Sequence, residues 1–211
     1  MKDLSNYQNI LWDFDGVLMD SMPVRNRGFE IVLKNYPNKE VEQLMRFHLN
    51  NGGLSRFVKF RYFFENIRNE DISENQIKFF AGKFSEVMRN ELLNEKLLIS
   101  DTVEFVKRFH EKFNMHIVSG SDQKELRFIC KKLNLKSYFL SINGSPTPKK
   151  ELVSILMGKH DYQKDKTVLI GDSINDYEAA EYNGIEFRGY NNKNLKRLEA
   201  GYIESFSDGK D

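Results

Sequence analysis

The alternation of apolar and polar residues along the chain predicts buried strands joined by helices. Apolar runs at positions 9–12, 115–118 and 167–170 each end in small or acidic residues, in "DFDG", "SGSD" and "GDSIND". Short apolar runs bounded by such residues are typical of buried strands, although periodicity alone does not separate them from buried helix. Helical patterns are present at 101–113, 124–133 and 149–158, with Asp101 as the expected N-cap of the first.

Strands that alternate with helices favour an α/β fold, a doubly wound, Rossmann-like parallel sheet with right-handed crossovers. In such sheets the ligand site lies beyond the carboxyl ends of the strands. We therefore expect the polar clusters that follow the three runs to meet at one edge of the sheet.

The section between the first and second runs has a different pattern, with long helical stretches and no clear strand. Helices are expected at 24–35, 40–49, 54–67 and 74–93, separated by a break at 51–53 and by a turn with an N-cap at 71–73. We expect residues 21–97 to form an inserted α-helical cap over the active edge. The α/β core then comprises residues 1–20 and 98–211, with hinges near 20–22 and 97–100.

Composition narrows the class of protein. The 211 residues include 32 Lys and Arg against 31 Asp and Glu, so the chain has no basic field that would indicate a nucleic-acid partner. A hydrophobic content of 40% is typical of a globular protein. The segment "MKDLSNYQNI" lacks the apolar core of a signal peptide, and no apolar stretch has the length of a membrane span. The single cysteine suits a reducing compartment. We expect a cytoplasmic protein without nucleic-acid or membrane partners, and its oligomeric state stays open.

The polar residues after the first run suit phosphoryl transfer. A carboxylate can act as a nucleophile and form an aspartyl-phosphate, and Asp13 is the first polar residue after the run. Asp15, two residues further on, lies on the same side of an extended chain and could protonate the leaving oxygen. Gly16 permits the turn that follows.

The two later clusters offer the remaining parts of such a site. Ser119 can donate a hydrogen bond to a phosphoryl group, helped by the backbone N–H groups of Gly120 and the residue after it. Lys149 follows "SPTP" at a helix start and supplies positive charge. Asp172 and Asp176 of "GDSIND" offer the hard oxygen ligands that Mg²⁺ prefers.

These motifs resemble those of a known family. "DFDGVLMDS" resembles the first motif of the haloacid dehalogenase-like (HAD) hydrolases, "IVSGS" the second, the lysine of "PKK" the third and "GDSIND" the fourth. Their order and spacing fit the family over the core region, and the helical section is similar to the family's C1-type cap. The resemblance implies that Asp13 is nucleophile and metal ligand, and that Asp15 is the acid/base whose backbone carbonyl also ligates the metal.

The resemblance also implies roles for the later residues. Ser119 and one lysine of "PKK" bind the phosphoryl group; Lys149 is favoured over Lys150 by its distance to the following apolar helix positions. Asp172 ligates Mg²⁺, and Asp176 supports the metal site.

Each feature also has an interpretation without chemistry. Asp and Gly form turns, Asp and Ser cap helices, and a surface lysine is usually solvated, but the four motifs together and in order favour an enzyme. Arg56 of "GLSR" is a tentative ligand for a substrate carboxylate or second phosphate. The alternative is that Arg56, Lys59 and Arg61 form a solvated face of a helix. Structural roles are preferred for the single histidines and the cysteine, His48, His116 and Cys130.

The expected function is a Mg²⁺-dependent phosphatase that hydrolyses a small phosphomonoester, phosphosugar or phosphoglycolate-like, through an aspartyl-phosphate at Asp13. A β-phosphoglucomutase-like phosphomutase is the alternative within the family; such mutases typically carry a histidine at the place near Arg25, where this chain has none. A non-catalytic binding module with the same fold is the alternative from another class, and it is disfavoured because the whole set of motif residues is intact.

Overall fold

A six-stranded parallel sheet forms the centre of the structure, a computed structural model that describes residues 4–51, 54–198 and 200–207. The strand order is β3-β2-β1-β4-β5-β6. The strands are β1 (Asn9–Trp12), β2 (Asn114–Asp122), β3 (Ser141–Ser145), β4 (Thr167–Gly171), β5 (Glu186–Tyr190) and β6 (Gly201–Ile203). The predicted α/β fold is confirmed. The direction in which strands are added to the sheet reverses at β1, since β2 and β3 lie on one side of it and β4 to β6 on the other.

The central strand β1 is apolar throughout because both faces of the sheet are covered. Ile10 and Trp12 pack into one apolar cluster, and Leu11 packs into another on the opposite face. Successive side chains of a strand point to opposite faces, so a strand buried on both faces shows a continuous apolar run and no alternation.

The register of the sheet brings three strand ends to one level. Trp12 pairs with Ile117 of β2 and with Ile170 of β4. The next residue, Asp13, donates its N–H to the carbonyl of Ile170 at 2.9 Å. The residues that follow β1, β2 and β4 therefore lie side by side at one edge.

Of the five α-helices that the described residues form between β1 and β2, the first four lie where the sequence predicts a helical insertion, and the fourth begins with a capping box formed by Ser73 and Gln76. They share a core rich in aromatic side chains, including Phe29, Phe60 and Phe84. These helices are α1 (Met22–Val32), α2 (Asn38–Asn50), α3 (Arg56–Tyr62) and α4 (Glu74–Glu91). That residues 21–97 form a separate cap stays a prediction.

The remaining helices connect the strands of the sheet. They are α5 (Ser100–Phe109), α6 (Gln123–Lys132), α7 (Lys149–His160) and α8 (Ile174–Asn183). Within the described residues, no helix combines the length and the apolar character needed to cross a bilayer.

Two helix predictions are wrong in detail. Asp101 is not the N-cap of α5, because its carboxylate instead accepts hydrogen bonds from the Tyr190 hydroxyl at 3.0 Å and the Phe206 N–H at 2.8 Å. The single helix expected at 54–67 begins at Arg56 and changes to a π-helical turn over Phe63–Arg68, where two adjacent phenylalanines are both buried. Part of the break expected at 51–53, positions 52 and 53, lies outside the described residues.

Candidate active site

Three aspartates and a lysine meet at the carboxyl ends of β1 and β4. One carboxylate oxygen of each of Asp13, Asp172 and Asp176 lies within 4.8 Å of the others. Lys149, the first residue of α7, reaches into this group: its Nζ is 2.9 Å from Asp13 Oδ1 and also bonds Asp176. Lys149 is buried, whereas the neighbouring Lys150 is exposed beside the ring of Tyr182.

Glycines allow the carboxylates to approach the backbone this closely. Gly16 has φ +80°, and a Cβ there would lie 1.9 Å from Asp172 Oδ2. A Cβ on Gly171 would lie 2.3 Å from the Cβ of Asp176. Neither position accepts another residue without displacing a carboxylate of the site.

The site carries a surplus of buried negative charge. Burial and the charge of Asp176 raise the pKa of Asp13 to about 7, although Lys149 opposes the shift. Burial and the charge of Asp13 raise the pKa of Asp172 well above its ordinary value. The same carboxylates hold the pKa of Lys149 above its ordinary value despite its burial, so the lysine stays charged.

Asp15 faces a different set of partners. Its Oδ1 accepts hydrogen bonds from the Ser21 hydroxyl and from Arg25 Nε at 2.6 Å, and its Oδ2 accepts one from the Ser121 hydroxyl at 2.5 Å. Burial alone would raise the pKa of Asp15, but the charge of Arg25 and these hydrogen bonds lower it below its ordinary value. Asp15 is therefore an ionised carboxylate in this conformation, not the protonated acid that the sequence predicts before reaction.

Ser119 and Gly120 lie beside the carboxylates, at the end of β2. The Ser121 N–H donates to Ser119 Oγ at 3.1 Å, so the Ser119 hydroxyl hydrogen remains available for a ligand. The same bond uses the Ser121 N–H, which the sequence had suggested as a phosphate donor.

A cavity of about 500 Å³ opens above these residues. Its floor includes Asp13, Ser119 and Asp172, and the facing wall comes from the helices between β1 and β2. We call the cationic residues of that wall, Arg25, Arg56 and Lys59, the basic wall. A ligand in the cavity would thus lie between a carboxylate floor and a cationic wall.

Arg56 and Lys59 are buried, so the solvated-face alternative is wrong for both. Arg56 Nη1 donates to Glu125 Oε2 at 2.6 Å and to Ser85 Oγ at 3.0 Å. Glu125 has no exposed surface, and its charge compensates that of the guanidinium. Arg61 alone of the three is partly exposed, paired with glutamates of the surface.

Sequence reasoning missed the residues that hold Asp15 and Arg56, which are Ser21, Arg25, Ser121 and Glu125. Ser21 and Arg25 did carry a signal, since residues four apart at a helix start lie on one face. Glu125 carried none, because its arginine partners are 100 and 69 positions away in the chain.

Of the three residues expected to have structural roles, two lie away from the cavity and one lines it. His116 is buried and bonds Ser141 and Tyr162, and burial raises the pKa of the Cys130 thiol to about 12, which makes it unreactive. His48 is also buried and hydrogen-bonded, but it lines the cavity and contacts Lys59.

Comparisons with known proteins agree with this geometry. The model of a family described as haloacid dehalogenase-like hydrolase matches residues 10–189. The chain is 27% identical over 208 residues to a phosphorylated carbohydrates phosphatase of Thermotoga maritima, covering 95% of this chain and 88% of that protein. It is 23% identical over 186 residues to a phosphoglycolate phosphatase of Aliivibrio fischeri, covering 83% and 80%.

A solved structure with a similar fold is that of CbbY from Rhodobacter sphaeroides in complex with xylulose-(1,5)bisphosphate. Its TM-score is 0.77 at 13% sequence identity, and the match covers 96% of each chain. At this identity the likeness bears on the fold alone.

Proposed function

The chain belongs to the haloacid dehalogenase-like hydrolases and acts as a phosphatase, and we propose that it uses Mg²⁺ to hydrolyse a small phosphomonoester through an aspartyl-phosphate on Asp13. The observation that carries the proposal is the contact between Asp13 and Lys149 at the edge where two further carboxylates converge. Transfer of a phosphoryl group to an aspartate needs such a fixed cation, because negative charge on the transferring oxygens must be offset.

Asp13 and Asp172 fit a hard divalent cation. Their carboxylates lie close together, and the pKa of each is raised by burial and by neighbouring negative charge, which a cation would offset. Carboxylate and carbonyl oxygens are the ligands that Mg²⁺ takes from proteins. We assign to the cation the side chains of Asp13 and Asp172 and the backbone carbonyl of Asp15. When bound, the cation would neutralise charge on the phosphoryl oxygens.

Asp176 supports the metal site through Lys149. Its Oδ1 accepts from Lys149, and its Oδ2 accepts from the N–H and the hydroxyl of Ser173 at 3.0 and 2.6 Å. Both oxygens are therefore engaged, and the main effect of Asp176 is to fix the ammonium beside Asp13.

The first chemical step is attack by a carboxylate oxygen of Asp13 on phosphorus, as the bond to the leaving oxygen breaks. The Ser119 hydroxyl and the Gly120 N–H donate hydrogen bonds to the phosphoryl oxygens, and Lys149 offsets their charge. Water then attacks phosphorus in the aspartyl-phosphate, which releases orthophosphate and restores the Asp13 carboxylate.

Asp15 is ionised in this conformation, so it must first take up a proton from solvent; it then protonates the leaving oxygen and later recovers a proton from the attacking water. Its carboxylate is held by Ser21, Arg25 and Ser121, so it must exchange at least one of these partners when substrate binds. Ser21 and Arg25 belong to residues 21–97. Movement of those residues as a cap would allow the exchange and would exclude bulk water.

The proposed substrate is a phosphosugar or a phosphoglycolate-like acid. The two relatives above support this class, because each is named for hydrolysis of such a compound. Arg56 is a tentative substrate ligand. It lines the cavity; its Nη1 is occupied by Glu125 and Ser85, whereas its Nη2 has no hydrogen-bond partner among the described residues.

Orthophosphate release from a panel of phosphosugars and phosphoglycolate, with and without Mg²⁺, tests the proposal. We expect Mg²⁺-dependent release from at least one compound. No release by protein that binds Mg²⁺ would favour the binding module. Isomer interconversion without release would favour the phosphomutase, which is disfavoured because Arg25, at the place where such mutases typically carry histidine, is an ion-pair partner of Asp15.

A further inference from the structure

We propose that the substrate carries a second anionic group besides its phosphoryl group, and that Lys59 binds this group at the basic wall. The inference rests on the proposed phosphatase function, since it narrows the chemical class of the phosphomonoester at the same site. A carboxylate and a second phosphate share the required chemistry, because each accepts charge-assisted hydrogen bonds.

Lys59 is held at the wall by a relay of hydrogen bonds. Its Nζ lies 2.8 Å from His48 Nδ1, and His48 Nε2 lies 2.9 Å from Asn26 Oδ1. The amide oxygen can only accept, so Nε2 carries the imidazole proton and Nδ1 accepts from the ammonium. Burial and the charge of Lys59 lower the pKa of His48 to about 3, so the imidazole is neutral. His48 thus orients the ammonium without offsetting its charge.

Placing an ammonium here is unfavourable for folding. Lys59 is 2% exposed, and burial together with the charge of Arg25 lowers its pKa to about 7. The Nζ lies 6.0 Å from the ring centre of Phe29, in surroundings where an apolar side chain would pack well. Strongly perturbed buried groups in a cleft are concentrated at functional sites, which supports a ligand-binding role for Lys59.

Two buried guanidinium groups beside Lys59 each keep one NH₂ group for a ligand. Arg25 and Arg56 both bond Glu125 through Nη1, at 3.3 and 2.6 Å, and this fixes their orientation. Their Nη2 atoms are buried and have no hydrogen-bond partner in the described part of the chain; that of Arg56 lies 3.6 Å from Asp122 Oδ1. Buried donors are normally satisfied, and no hydrogen-bond partner for these two atoms lies among the described residues, so they indicate an acceptor supplied by a ligand.

Both ends of the cavity offer groups that bind an anion. At the floor, Asp13 and Ser119 are the residues proposed to take the phosphoryl group, and Lys149 contacts Asp13. The basic wall faces the same space and presents an ammonium and two NH₂ groups. A molecule with an anion at each end can bind at both, whereas a neutral polyol tail would offer no charged acceptor to the Nη2 groups of Arg25 and Arg56.

Titration calorimetry on the Asp13→Asn protein tests the inference separately from turnover. Three short phosphomonoesters are compared: phosphoglycolate, ethylene glycol bisphosphate and the neutral-tailed hydroxyethyl phosphate. We expect one of the two compounds with a second anionic group to bind more tightly than hydroxyethyl phosphate by about tenfold to one-hundredfold, and the tighter one identifies the anion.

Adding Lys59→Met should abolish most of this difference, and Lys59→Arg should retain it. Lys78→Met, at an exposed lysine of α4, is the matched control and should bind as the parent does. Equal binding of all three compounds by the parent, no binding of any, or an unchanged difference in Lys59→Met would overturn the inference. Discrimination in binding with no phosphate release by the unmodified enzyme would instead contradict the proposed phosphatase function and leave the second-anion site standing.

Discussion

Replacing Glu125 by glutamine should destabilise the protein strongly, although the two side chains have almost the same size. Glu125 lies in the first turn of α6 with no exposed surface. It accepts from Arg25 Nη1 at 3.3 Å and from Arg56 Nη1 at 2.6 Å, and so joins the helices between β1 and β2 to the sheet region. A glutamine offers one oxygen and one NH₂ group, so one guanidinium would face a donor and both would lose the negative charge.

The expected magnitude follows from burial. Removing one partner of a buried ion pair costs about 3–5 kcal/mol, because the remaining charge is left uncompensated. For a chain of this size that loss lowers the Tm by on the order of 10 °C. Both arginines are nearly buried, with 8% and 4% of their side chains exposed, so water cannot replace the lost carboxylate.

Urea and thermal unfolding of Glu125→Gln measure the effect, with Glu65→Gln as the matched control. Glu65 also pairs with an arginine, Arg61, but both side chains are 40% exposed, and we expect a much smaller change. A loss below about 1 kcal/mol in Glu125→Gln would refute the reasoning, since it would mean that the buried arginines do not depend on this carboxylate.

Three further outcomes can be measured. Lys149→Met should lower kcat for phosphate release by about 10²–10³-fold, whereas Lys150→Met, at an exposed position, should retain activity; similar losses in both would contradict the role of Lys149. Asp172→Asn should raise the Tm in the absence of metal, because it removes a carboxylate that its neighbours repel. The same variant should lose the rise in Tm that Mg²⁺ produces, because it removes a metal ligand. A normal Mg²⁺ response of the variant in scanning fluorimetry would exclude Asp172 as a metal ligand. Folding lowers the pKa of Lys59 from 10.5 to about 7, so the unfolded chain holds the additional proton between these values and stability rises with pH. Urea midpoints of the wild type and Lys59→Met across this range should show a smaller rise in the variant, and equal slopes would contradict the lowered pKa of Lys59.

The sheet could be predicted from the sequence only where its strands are buried on both faces. The strands β1 and β4 are continuous apolar runs, and β2 begins with one. The missed strands of the described residues are β3, "SINGS", β5, "EFRGY", and β6, "GYI"; all are short and contain glycine, so their sequences do not differ from those of loops. They become strands because neighbouring strands provide hydrogen-bond partners, which is a tertiary effect.

The residues of the candidate site also divide into those that could be predicted from the sequence and those that could not. Asp13, Ser119 and Asp172 could be located because each follows an apolar run of a parallel strand, and the carboxyl ends of such runs converge. The partners of Asp15 and the basic wall come from helices whose approach to the sheet is fixed by aromatic packing, for example of Phe29 on Phe84 with ring centres 4.4 Å apart. Local patterns do not encode that approach, and Lys59 and Arg56 therefore looked equally compatible with a solvated face.

The most direct test of the proposed function is phosphate release by the wild type and by Asp13→Asn, with para-nitrophenyl phosphate and with the best substrate of the panel. Asparagine preserves the shape of Asp13 but is not a nucleophile, so the account predicts Mg²⁺-dependent release by the wild type and none by the variant. Release at a comparable rate by folded Asp13→Asn would contradict the aspartyl-phosphate at this residue.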